Sequence, residues 1–199
     1  VDAQAEQLDG TLLDAPDGLP ADILTRSRDI LGHAFDSAKE SYAQAVNTLF
    51  GDFMRRFVEL NAEALRKGLD VIIFPEGTRS TRLSKGRIGL SQIALHLGAP
   101  VVPVGCSGCD KLYPGSSPWA HGGTVTYRFG EVMTADELAR YAPAESFTPF
   151  SPEAEHRHRD QFQALVDVVM DRINGLVDEP YRFAEDRLSQ GVAGSRRFV

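Results

Sequence analysis

Val71-Ile72-Ile73-Phe74-Pro75-Glu76-Gly77-Thr78-Arg79-Ser80 joins a short apolar run to a polar turn, and the rest of the chain is read outward from it. The first four residues are apolar and mostly β-branched, bounded by Asp70 and Pro75, which reads as a buried strand. The turn then sits at a strand's C-terminal end, the edge of an open α/β sheet where ligands bind. Gly77 lets the backbone approach a ligand without a Cβ in the way. Arg79 offers a planar, permanently charged fork to phosphate oxygens, and Glu76 is placed to orient that guanidinium or to hold a substrate hydroxyl. A bare Glu-Gly-Thr-Arg also fits an ordinary strand-to-loop turn with a surface ion pair, which contributes little.

Upstream of the turn, residues 1–20 are acidic, with Asp2, Glu6, Asp9, Asp14 and Asp17 and no Lys or Arg, and read as a loop or mobile arm. A short helix is expected over 21–31. Tyr42, Ala45, Val46, Leu49 and Phe50 repeat at helical spacing. A further helix is expected over 52–67, with Phe53, Met54, Phe57, Val58, Ala64 and Leu65 on one face and Gly68 as C-cap. Downstream, Leu90, Ile93, Ala94 and Leu97 mark a helix ending at Gly98, with Pro100 as breaker. A strand over 101–105 carries Pro103, which donates nothing to a ladder and so points to an edge or a strand end. Val125, Tyr127 and Phe129 alternate with polar residues as in a half-buried strand. Thr134 with Glu137 is a capping box. Ser151 caps a longer helix with Pro152 at its first position, and Phe162, Leu165, Val166, Val169, Ile173, Leu176 and Val177 form its apolar stripe. From Tyr181 the pattern fades into a tail.

The word Phe74 to Ser80 resembles the phosphate-binding motif of the glycerolipid acyltransferases, also called lysophospholipid acyltransferases. Lys85-Gly86 is similar to the family's Lys-Gly a few residues on, and Ala99-Pro100-Val101-Val102-Pro103-Val104 to its later Pro-containing apolar block. The resemblance covers roughly residues 69 to 107, and the order and spacing of three pieces make it specific. It implies an α/β domain, a mixed sheet flanked by helices, over 21–180, between the arm at 1–20 and a tail at 181–199. It implies acyl transfer in phospholipid biosynthesis from acyl-coenzyme A or acyl carrier protein, as co-substrate, to the hydroxyl of a lysophospholipid, most simply lysophosphatidic acid. No other cofactor and no metal are expected. Glu76, Gly77, Thr78, Arg79 and Lys85 would bind the substrate phosphate, at the cytoplasmic side of a membrane surface to which the protein is peripheral. A phosphate or lipid-headgroup binding module without chemistry is the alternative.

The 199 residues, 42% hydrophobic and 25% charged, have ordinary globular composition and suffice for one sizeable core. A net charge of −7 argues against a nucleic-acid partner, which needs a basic footprint; Arg79, Arg82, Lys85 and Arg87 nevertheless form a local basic patch. No run approaches the roughly 20 apolar residues that span a bilayer, and no signal-peptide pattern opens the chain.

Acyl transfer to an alcohol needs a base for the hydroxyl proton, and His titrates in the right range. The resemblance implies a His with an Asp five positions on, well upstream of the phosphate turn. None of the five His fits: Ala38, Val101, Thr126, Gln161 and Gln163 stand five after His33, His96, His121, His156 and His158. No catalytic residue is therefore identified, and the expectation is that an N-terminal segment carrying the motif is missing. His33 with Asp36 is a weaker candidate, sharing a helix face at i, i+3, though a solvated pair accounts for it. His96 falls on the solvent side of its helix, and His156 and His158 among Arg157 and Arg159 read as charged surface. Cys106 and Cys109 provide no disulfide framework and fit a reducing compartment. Their Cys-x-x-Cys spacing suits a redox pair or half a zinc site. A second pair of ligands is not evident, and a loop rather than a helix is expected after Cys109, so they are taken as small residues lining a groove.

Overall fold

The computed structural model describes residues 21–77, 80–112, 119 and 121–188. The acidic arm at 1–20, Thr78, Arg79 and the end of the tail lie outside these residues. Two compact units divide the chain, one of residues 1–71 and 148–157, the other of 72–147 and 158–199.

In the first unit, helix α1 (Ala21–Thr25) is followed by strands β1 (Arg28–Ile30) and β2 (His33–Phe35), paired antiparallel with Ile30 opposite His33. The expected helix over 21–31 thus stops at Thr25. Leu31 (φ 52°) and Gly32 (φ 90°) both take positive φ, the two-residue turn whose twist suits a hairpin. Helix α2 (Tyr42–Arg66) opens on a capping box in which the Ser41 side chain accepts from Gln44 N and the Gln44 side chain accepts from Ser41 N. It runs unbroken where two helices were expected, because one Gly at position 51 costs only about 1 kcal/mol in a helix interior. Gly68 (φ 74°) follows its end, as expected of a C-cap. Phe35 is buried, meets Tyr42 edge-on at 5.7 Å, and lies under the Arg28 guanidinium. The expected apolar face of α2 is covered only in part: Ala45 is buried, whereas Phe50, Phe53 and Phe57 stay about half exposed.

The second unit holds helix α3 (Gly89–Leu97), strand β3 (Val104–Ser107), helix α4 (Cys109–Leu112), strand β4 (Thr126–Phe129) and helix α5 (Ala135–Leu138). Helix α6 (Pro152–Leu176) begins in the first unit and has a non-helical residue, His158, where the units divide. Gly98 ends α3 in the left-handed conformation, and Thr134 and Glu137 form the predicted capping box of α5. The Ser151 hydroxyl accepts from Ala154 N at the start of α6. The core is built on the predicted stripe of α6: Leu165, Val166, Val169, Ile173 and Val177, joined by Met170, which the stripe did not include, pack with Leu90, Ala94, Met133 and Leu138. Tyr181 and Phe183 also pack against it.

The strands depart from expectation in three ways. Among the described residues the sheets are two separate antiparallel pairs rather than one mixed sheet, so helices and small sheets agree with the α/β expectation only broadly. Residues 71–74 belong to neither pair. Ile73 packs on the core, but Ile72 and Phe74 are each 81% exposed; no described strand lies alongside to take up their backbone groups. Strand β4 does form, yet its apolar side chains Tyr127 and Phe129 are 59% and 73% exposed, because β4 pairs with β3 alone and no described layer covers that face. Strand β3 starts after Pro103, as a residue without an N–H requires, and the Pro103 carbonyl accepts from Gly130 N. No described helix is long and apolar enough to cross a membrane.

Candidate functional site

The polar turn is built from its flanks inward. Gly77 N donates to the Phe74 carbonyl at 3.1 Å, closing a turn with Pro75 second and Gly77 fourth, the positions these residues favour. Gly77 has φ 69°, a left-handed value that a side chain would strain. Arg87 N donates to the Pro75 carbonyl at 2.8 Å, so residues 75 and 87 meet at the base of the intervening loop.

Within that loop Glu76 reaches across to Ser84. Its Oε2 accepts from Ser84 N at 2.7 Å and from Ser84 Oγ at 2.9 Å. Ser84 is buried, and the pair ties the two ends of the loop. Burial pushes the Glu76 carboxyl above its usual range, while the two hydrogen bonds from Ser84 pull it down. The sequence assigned Glu76 to Arg79 or to a substrate; the structure gives its Oε2 to Ser84, whose only sequence signal was its place before Lys85-Gly86.

A carboxyl with a raised folded value contributes stability fully present below its unfolded pKa and lost as pH rises through the folded one. Glu76→Gln keeps an acceptor for Ser84 and removes the titration. Thermal unfolding of the variant is therefore expected to gain on wild type as pH rises through the window just above the ordinary carboxylate range, and a difference independent of pH would refute this origin.

Lys85 is exposed and its N–H donates to the Arg187 carbonyl at 3.0 Å. Gly86, beside it, is pressed against α6: a Cβ there would stand 2.8 Å from both Val166 and Met170 side-chain atoms. The Lys-Gly pair thus places a cation at the surface by seating a glycine on the core. Of the predicted basic patch, Arg82 is engaged elsewhere, its Nε and Nη2 donating to the carbonyls of Arg182 and Phe183. Leu83 N donates to the Tyr181 carbonyl, so this side of the loop leans on the C-terminal segment. Glu76, Gly77 and Lys85 are thereby carried on one closed loop; Thr78 and Arg79 lie outside the described residues.

His33 and Asp36 do not form the pair considered from sequence. His33 stands in β2 rather than on a helix, with its Nε2 2.7 Å from Glu40 Oε1. Asp36 accepts from Ala38 N and pairs with Lys39, which holds its carboxyl below the usual range. His96 is exposed, as predicted, with its ring edge-on to Phe147. His158 lies against Phe147 and Phe162, while His156 is exposed. Among the described residues no three His, Cys, Asp or Glu side chains are grouped to hold a metal ion.

Residues 44–107 match the family model described as Acyltransferase. A chloroplastic 1-acyl-sn-glycerol-3-phosphate acyltransferase of Brassica napus, BAT2, is 41% identical over 68 residues, covering 33% of this chain and 19% of that protein. The chloroplastic 1-acyl-sn-glycerol-3-phosphate acyltransferase LPAT1 of Arabidopsis thaliana is 40% identical over 68 residues, covering 33% of this chain and 18% of its own length. The matched segment spans under a fifth of either relative. No solved structure matches the chain.

Proposed function

We propose, for a chain whose residues 44–107 match the Acyltransferase family model, that it serves acyl transfer from an acyl thioester to the hydroxyl of a lysophospholipid, most simply lysophosphatidic acid. The acyl thioester is acyl-coenzyme A or acyl carrier protein, and the work is done at a membrane surface on its cytoplasmic side. The carrying observation is the closed loop after Phe74, with Glu76 tying down Ser84 and Pro75 bound to Arg87 N. Such a loop holds Glu76, Gly77 and Lys85 without spending binding energy to order them. Arg79 binds the acceptor phosphate, Lys85 adds charge, and Gly77 and Thr78 shape the turn. Glu76 acts as a positioning residue through Ser84. The names of the two relatives support the acceptor, and Gly77 supports a close backbone approach.

A second reading, a lipid-headgroup module without chemistry, is favoured by one observation: none of the five His has an Asp five positions on. The two readings separate in one assay. Full-length protein is mixed with lysophosphatidic acid and acyl-coenzyme A, and both phosphatidic acid and released thiol are followed. Equal formation of the two supports acyl transfer; saturable lysophosphatidic acid binding with neither product would select the binding module.

A further inference from the structure

Cys106 and Cys109 take no part in the phosphate loop, yet the structure brings their sulfurs within 3.1 Å as free thiols. That separation is well inside van der Waals contact, and a small side-chain rotation closes it to a bond of about 2.0 Å. The approach is built by the backbone. Cys106 lies in β3, and Cys109 is the first residue of α4, so the motif does pass from strand to helix where the sequence pointed to a loop. Gly108 between them has φ 94°, and a Cβ there would run into the Thr124 carbonyl oxygen. Only glycine turns the chain back this tightly beside residue 124.

The turn is also clamped from outside. Ser107 is buried, and its Oγ accepts from Asp178 N at 3.0 Å. On the other side of Cys109, Asp110 Oδ1 accepts from the Tyr181 hydroxyl at 2.7 Å. Two residues flanking the cysteines are thus tied to the segment after α6, which fixes the thiols relative to each other. Tyr127 faces Cys106 across the ladder, and the two side chains share a hydrogen bond. Exposure separates the pair: Cys109 is open to solvent, whereas Cys106 is partly covered. A zinc site needs further ligands, and none is grouped with the pair among the described residues.

We infer that Cys106 and Cys109 are a reversible dithiol–disulfide site that exchanges with low-molecular-weight disulfides. The exposed Cys109, as thiolate, attacks one sulfur of an incoming R–S–S–R. That S–S bond breaks, one R–S⁻ leaves and takes up a proton, and a mixed disulfide remains on Cys109. The Cys106 thiol then loses its proton and attacks the Cys109 sulfur, expelling the second R–S⁻, which is protonated in turn. Two protein thiols are oxidised and one R–S–S–R is reduced to two R–SH. Burial, and then the hydrogen bond with Cys109, push the Cys106 thiol up to about 11. In the mixed disulfide the Cys109 thiol is gone and burial still disfavours the Cys106 thiolate, so ring closure speeds up as pH rises and the thiolate fraction grows.

The test uses the full chain, reduced, freed of reductant and exposed to oxidised glutathione. Intact-mass measurement is expected to find the protein lighter by two hydrogens, with both thiols lost and no glutathione retained, and dithiothreitol is expected to restore the starting mass. Cys106→Ser is expected to stop at a glutathione adduct on Cys109. Stopped-flow measurement of closure on wild type should show the rise with pH. Lasting glutathione adducts on wild type, disulfide-linked dimers, or thiols that resist oxidation would each overturn the inference. The readout involves no acyl transfer, so its outcome is independent of the function proposed above.

Discussion

Phe162→Ala is expected to lower the stability of the chain by about 3–5 kcal/mol, the range for truncating a fully enclosed aromatic. Phe162 is 0% exposed in α6. Its ring packs against Phe147 at 5.0 Å and His158 at 6.0 Å between centroids, and its carbonyl accepts from the buried Ser91 Oγ at 2.6 Å, joining α6 to α3. Truncation loses the transfer free energy of the ring and leaves a cavity that two helices pinned by that hydrogen bond cannot readily close. Against the total of about 5–15 kcal/mol typical of a domain, the loss threatens folding outright. Urea unfolding should show a lower midpoint at unchanged slope. A midpoint equal to wild type would mean that Phe162 is not enclosed as described.

Arg79→Ala is the second large effect. A charge-assisted hydrogen bond to phosphate is worth about 1.5–3 kcal/mol, and a forked pair more. Its loss is therefore expected to cut kcat/KM toward lysophosphatidic acid by about a hundredfold to a thousandfold. The phosphate is chemically unchanged during transfer, so ground state and transition state lose alike and the defect falls mainly on KM. Arg79→Lys keeps the charge without the fork and should lie in between. Steady-state kinetics with varied acceptor reads all three. An unaltered KM in Arg79→Ala would remove Arg79 from the acceptor site.

Helices α3, α5 and α6 were legible because their signals are local and mutually consistent. Gly98 ends one, Thr134 and Glu137 cap another, and Ser151 with Pro152 opens the third over a stripe that buries as its spacing requires. The strands were less legible because a strand needs a neighbour, which no run of residues specifies by itself. Residues 71–74 carry the composition of a strand but have none described beside them, and Ile72 and Phe74 face outward. In β4 the alternation marks two faces without saying whether anything covers the apolar one. The first hairpin was hidden because Leu31 takes a left-handed φ that its residue type disfavours. At the site, Gly77 could be read from the sequence as the glycine of a turn, whereas the seating of Gly86 on α6 could not. The bond from Glu76 to Ser84 could not, since it joins residues eight apart through a loop with no repeating geometry.

The central claim, that the loop after Phe74 recognises an acceptor phosphate in acyl transfer, is tested most directly by acceptor discrimination. The quantity is the ratio of kcat/KM for lysophosphatidic acid to that for the matching monoacylglycerol, which lacks the phosphate, in wild type and in Arg79→Ala. The account predicts a strong preference for the phosphorylated acceptor in wild type, collapsing toward unity in the variant while the rate on monoacylglycerol is unchanged. A preference that survives intact in Arg79→Ala would contradict it.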